Sequence, residues 1–128
     1  MILVDSSKYI SWMRAGRNPL TLLAGHAQAG DLVSCGIVRI EVLRGVVKAN
    51  VKEQLDEFFQ IVPEVALTSA LLHEAAELAW TLDRRGIVLP VTDLLIGVCA
   101  KKANATLITE DAPFQQMPAL KVQMDLPK

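Results

Sequence analysis

The chain has 128 residues, of which 52% are apolar and 21% charged, and 13 Lys and Arg against 14 Asp and Glu leave it at −1. That length and composition suit one compact domain across residues 1–128 with a sizeable core, and exclude a disordered or strongly polycationic protein. No apolar run approaches the roughly 18 residues of a membrane span, and the start "MILVDSS" lacks a basic leader segment, so a cytoplasmic protein with no membrane partner is expected.

Ile2 to Asp5, "ILVD", is a strand-length apolar run. It stops at Asp5-Ser6-Ser7, a helix-capping cluster, after which Tyr9, Ile10, Trp12 and Met13 follow helical spacing. "NPLTLLAGHAQAG" predicts a helix capped by Asn18, with Pro19 in its first position and Gly30 at its close. Asp31 to Cys35, "DLVSC", is a second strand candidate. Gly36 to Ala49 reads as one helix that bends or breaks near Asn50. "QIVPEVAL", Gln60 to Leu67, suits a short strand interrupted by Pro63. Thr68 caps an amphipathic helix ending at Gly86, with Leu71, Ala75, Leu78, Ala79 and Leu82 on its apolar face. Thr92 is expected to cap the next helix, which ends near Asn104. Ala105 to Thr109 is a strand, and Leu120 to Met124 a final one. Strands separated by helices require parallel pairing, because each crossover returns the chain through a helix; the fold class is α/β, a three-layer α/β/α sandwich around a central parallel sheet.

In such a sheet the strand C-termini and the adjoining helix N-termini share one edge, where ligands bind. Asp5 ends the first strand, Asp111 follows "ATLIT", Asp93 begins the helix before that strand, and Glu41 lies about one turn into the helix after "DLVSC". All four should face that edge. Each also has a plain structural role: Asp5 as a cap, Asp93 at a helix dipole, Asp111 as a turn former, and Glu41 as a partner of Arg44. Together they are harder to explain, because converging carboxylates raise one another's pKa unless a cation lies between them. A hard divalent ion, Mg²⁺ or Mn²⁺, suits oxygen ligands of this kind and would support phosphoryl chemistry. Setting the four acids aside leaves the remainder at +3, which tolerates a nucleic-acid substrate.

Other chemistries find less support. Cys35 and Cys99 sit among apolar neighbours without metal-ligand spacing and read as buried free thiols, His26 and His73 are isolated, and there is no Gly-rich phosphate loop. Arg84 and Arg85 suit either RNA phosphates or a helix C-terminus, and Lys101 and Lys102 a solvated helix end. Tyr9, Trp12 and Met13 suit the core, a dimer contact or a partner's apolar segment, and Phe114 the core.

"MILVDSS", "RIEVLRG", "RRGIVLPVTDLLIGVCA" and "ATLITEDAPF", in that order over nearly the whole chain, resemble a PIN domain, and more narrowly a VapC-type toxin nuclease. The resemblance implies a PIN-like fold, Mg²⁺- or Mn²⁺-dependent endoribonuclease activity, a homodimer and a cognate antitoxin that blocks the groove. It makes Asp5, Glu41, Asp93 and Asp111 the metal-binding acids, with Ser6 or Thr109 as hydroxyl neighbours orienting a carboxylate or a bound water. Pro113 departs from the pattern, standing where many relatives carry a second acid. A housekeeping nuclease that matures RNA, and a non-catalytic module holding RNA or a protein partner, are the alternatives; the second would be marked by loss of one or more acids, and all four are present.

Overall fold

The computed structural model describes residues 1–127. Five strands, β1 (Ile2–Val4), β2 (Leu32–Cys35), β3 (Glu64–Val65), β4 (Thr106–Ile108) and β5 (Val122–Gln123), pair in the order β3-β2-β1-β4-β5. Every pairing is parallel, with Ile2 opposite Leu32, Leu3 opposite Leu107 and Val4 opposite Ile108. Six helices flank the sheet: α1 (Ser6–Arg14), α2 (Pro19–Ala29), α3 (Gly36–Arg44), α4 (Ala49–Ile61), α5 (Ser69–Arg84) and α6 (Val91–Lys102). This is the α/β sandwich that the alternation of runs predicts. The central strands are buried on both faces, which is why "ILV" and "TLI" read as continuous apolar runs instead of alternating.

Several local signals act as their chemistry requires. Asn18 accepts a hydrogen bond from the Leu20 amide and Thr68 from that of Leu71, each satisfying an orphan donor of its helix. Gly30 closes α2 at φ +73, a left-handed conformation that a side chain would strain. Leu71, Ala75 and Leu82 are buried on α5, with Leu78 and Ala79 partly so. Phe114 is core. Tyr9 stacks edge-on against Trp12 at 6.0 Å and at a tilt against Phe59 of α4 at 5.3 Å, so Tyr9 joins α1 to α4 in the core, where Trp12 is also buried. Cys35 and Cys99 are free and buried.

Three expectations are corrected. The helix beginning at Gly36 ends at Arg44, and the chain restarts as α4 at Ala49; Gly45 and the β-branched pair Val46-Val47 fill the break. α4 buries Leu55 and Phe59 and takes up Gln60 and Ile61, so the strand expected over Gln60–Leu67 shrinks to Glu64–Val65. Pro63, which has no amide hydrogen, sits just before this edge strand and offers its carbonyl to the Ser34 amide at 2.9 Å. Finally, α6 starts at Val91 with Pro90 as N-cap, so Thr92 lies inside its first turn and does not cap it.

Candidate functional site

The order β3-β2-β1-β4-β5 changes direction between β1 and β4, and at such a point two adjacent strands send their following segments to opposite sides and open a crevice. Asp5 follows β1, and its amide continues the ladder by donating to the Ile108 carbonyl at 2.9 Å. Thr109, Glu110 and Asp111 follow β4, while α3 carries Glu41 and the first turn of α6 carries Asp93.

Asp5 is 1% exposed, and although it occupies the N-cap position of α1 its side chain makes no capping bond. Its Oδ2 instead accepts hydrogen bonds from Ser7 Oγ and Thr109 Oγ1, both at 2.8 Å. Those two hydroxyls lie 3.2 Å apart, and each also accepts a backbone amide: Glu110 N donates to Ser7 Oγ at 3.2 Å and Asp111 N to Thr109 Oγ1 at 3.0 Å. The frame ties the end of β1 to the end of β4 and fixes the chain direction just before Asp111. Ser6 Oγ donates to Glu41 Oε1 at 3.0 Å, linking α1 to α3. Both hydroxyls singled out in the sequence, Ser6 and Thr109, therefore hold carboxylates.

The charges of neighbouring acids reach Asp93 and Asp111. Asp93 is pushed up to about 6, first by burial and then by the charges of Asp5, Asp111 and Glu41. Asp111 is also raised, by burial and then by Asp5, with Glu110 adding to it. The donor set is entirely oxygen, carboxylates with hydroxyls beside them, and this chemistry suits a hard divalent cation. The acids nevertheless form no ready cage: among the described residues, no three His, Cys, Asp or Glu side chains are gathered closely enough to hold an ion. The repulsion that raises Asp93 acts over a longer range than ligation.

Two participants escaped sequence reasoning. Ser7 is the hinge of the hydroxyl frame, and its signal was the second serine of "DSS", two residues beyond the acid. Lys8 is only 5% exposed; its Nζ lies 3.4 Å from Glu110 Oε1 and 5.6 Å from the Trp12 ring centre, beneath the site. Lys8 thus places a cation near the acids, three residues from Asp5. Arg39 turns away to Glu64 at 2.9 Å, and Glu41 engages Ser6 with no ion pair to Arg44.

The PIN domain family model matches residues 2–120. Among solved structures, the chain is similar to VapBC2 from Rickettsia felis bound to a DNA fragment from their promoter, at 26% identity over 96% of this chain and 98% of that one, with a TM-score of 0.72. VapBC-1 from nontypeable Haemophilus influenzae gives 22% identity, 96% and 97% coverage and a TM-score of 0.73. DNA-bound VapBC from Salmonella typhimurium gives 14%, 96% and 98%, and 0.74, a likeness of fold. No curated protein sequence matches the chain. A family model that spans residues 2–120, on a parallel sheet in the order β3-β2-β1-β4-β5, makes the chain a member of the PIN domain family.

Proposed function

We propose that the protein is a Mg²⁺- or Mn²⁺-dependent endoribonuclease that hydrolyses RNA phosphodiester bonds as the toxin of a toxin–antitoxin pair, in one nuclease unit across residues 1–128. The observation that carries this reading is the coupling of Asp93 to Asp5, Asp111 and Glu41, four carboxylates at one crevice with a hydroxyl frame behind them. Crowded anions of this kind disfavour their own ionisation, and a divalent cation relieves that cost. Asp5, Glu41, Asp93 and Asp111 would hold it. When bound, the ion supplies a Lewis acid that activates water and offsets charge gathering on the phosphoryl oxygens.

The protein's own groups do the positioning. Ser7 and Thr109 hold Oδ2 of Asp5, and Ser6 holds Glu41, so two of the acids enter the crevice with restricted orientations. The likeness to VapBC structures supports an antitoxin as partner, and the exposed apolar side chains Ile40, Val88 and Val91 support self-association as a homodimer. Among the described residues, no helix is long and apolar enough to cross a membrane, which suits action on cytoplasmic RNA.

Incubating purified protein with single-stranded RNA tests the reading. Cleavage is expected in Mg²⁺ or Mn²⁺, absent in EDTA, and lost in Asp93→Asn. Cleavage in EDTA, or undiminished cleavage by a clean Asp93→Asn preparation, would sink it. Expression alone should arrest growth, and co-expression of the antitoxin should relieve the arrest; normal growth with abundant active nuclease would leave an RNA-maturing enzyme in its place.

A further inference from the structure

Three clefts join end to end along α1. The first, about 440 Å³, holds Ser6, Ser7, Arg14, Glu110 and Asp111, and so opens directly on the carboxylate crevice. It shares Ile10 and Arg14 with a second of about 370 Å³, walled by Met13, Val42, Val46, Val47 and Val51. That one shares Met13, Lys48 and Val51 with a third of about 420 Å³, which runs on past Arg17 and Asn18. The break between α3 and α4, Gly45 to Lys48, shapes the middle of this channel.

The acids stand at one end of the channel, where Arg14 joins them. Glu110 and Asp111 stand in the first cleft, and neither of the other two is lined by any Asp or Glu. The charged groups there are Arg14, Lys48 and Arg17, all exposed, and among the described residues none of them is in an ion pair. A channel that leads out of an acidic crevice with cations on its rim and aliphatic side chains on its floor complements a flexible polyanion carrying apolar faces.

We propose that this channel is the track for the single-stranded RNA flanking the scissile phosphate, with Arg14, Lys48 and Arg17 as backbone phosphate contacts and base faces resting on the aliphatic floor. This rests on the ribonuclease reading above and adds to it a direction for the strand and three positioning residues. Cations that meet phosphates displace condensed counterions, so each contact adds about 0.7 to the slope of log affinity against log salt for a single strand.

Anisotropy of a fluorescein-labelled single-stranded RNA of about a dozen nucleotides, titrated in EDTA from about 50 to 200 mM KCl, measures the track without cleavage. Relative to wild type, the double variant Arg14→Ala/Lys48→Ala should bind roughly tenfold more weakly, with the salt slope smaller by about 1.4. Arg14→Lys should keep the slope, and Lys102→Ala, at the far end of α6, should change neither quantity. In Mn²⁺ the double variant should raise KM far more than it lowers kcat. RNA affinity and slope unchanged in the double variant would overturn the track, and intact Mn²⁺-dependent cleavage would then leave the ribonuclease reading standing. The same holds if the double variant loses binding of poly-glutamate but not of RNA, since the channel would then be a site for an acidic polypeptide. No RNA binding by wild type overturns the track as well. Track-dependent binding without cleavage in any metal upholds it and removes the nuclease.

Discussion

Replacing Asp93 by Asn should stabilise the metal-free protein, and the effect should depend on pH in a definite direction. Burial and three neighbouring carboxylates raise Asp93 from 3.8 to about 6. A raised acid destabilises the fold when ionised. The penalty is absent below the unfolded value near 3.8, grows as pH rises through the window to about 6, and is complete above it. At full strength this shift corresponds to about 3 kcal/mol. The side chain is only partly buried, and solvent screening reduces the figure to about 1 kcal/mol. Asn keeps the shape and removes the charge. Near pH 7.5 in EDTA, Asp93→Asn should therefore melt about 3 to 6 °C above wild type, and the curves should converge near pH 4. Millimolar Mn²⁺ should reverse the order: wild type gains about 2.7 kcal/mol at a hundredfold excess over Kd, whereas the variant, short of one ligand, gains much less. Thermal melts at both pH values, with EDTA and with Mn²⁺, read all four conditions. A variant less stable than wild type at pH 7.5 in EDTA, or a gap that does not change with pH, would refute the coupling on which the site rests.

Thr109→Val keeps the shape but removes the donor to Asp5 Oδ2 and the acceptor of the Asp111 amide, and should cost about 1 to 3 kcal/mol. A urea midpoint within about 0.5 kcal/mol of wild type at equal m would show the frame to be idle. Glu110→Ala leaves the Lys8 ammonium buried without its carboxylate and should lower Tm by several degrees, whereas the joint change with Lys8→Met should recover part of the loss; additive losses in that cycle would contradict the pairing. Gly97→Ala on α6 places a methyl group against Sδ and Cε of Met117, which is itself buried, and should destabilise by about 1 kcal/mol despite the better helix propensity of Ala. Equal or higher stability would mean that Met117 swings aside freely.

How much the sequence discloses differs between elements for physical reasons. The strands "ILV" and "TLI" and the capped helices α2 and α5 are local matters of run length, Asn18, Thr68 and Gly30, and they stand where patterning puts them. The region from Gly36 to Leu67 is harder, because a helix crossing Gly45 and Val46 and one restarting at Ala49 differ by tertiary packing of Leu55 and Phe59 that no local rule weighs. Thr92 looked like a cap because Thr often is one, and Pro90 took the position instead. At the candidate site, Asp5, Asp93 and Asp111 were legible from their places at strand and helix ends, and Glu41 from its place within the helix after β2. Ser7 and Lys8 were not, since their partners, Thr109 and Glu110, lie 102 residues away in the chain.

Asp5 shows how a plain structural role and a functional one can be told apart within a single residue. A capping aspartate faces along its own helix and spends an oxygen on the amide of its second or third residue. Asp5 stands in the capping position with the extended backbone of a cap, yet its carboxylate turns across the sheet to two hydroxyls. Both hydrogen bonds end on Oδ2. That oxygen is anchored to the frame that joins β1 to β4, and the charge of the carboxylate adds to burial in raising the pKa of Asp93 and of Asp111. An Asn there would keep one oxygen for the two hydroxyls but lose the charge. A cap would tolerate that exchange almost without cost, whereas a carboxylate whose charge acts on its neighbours would not.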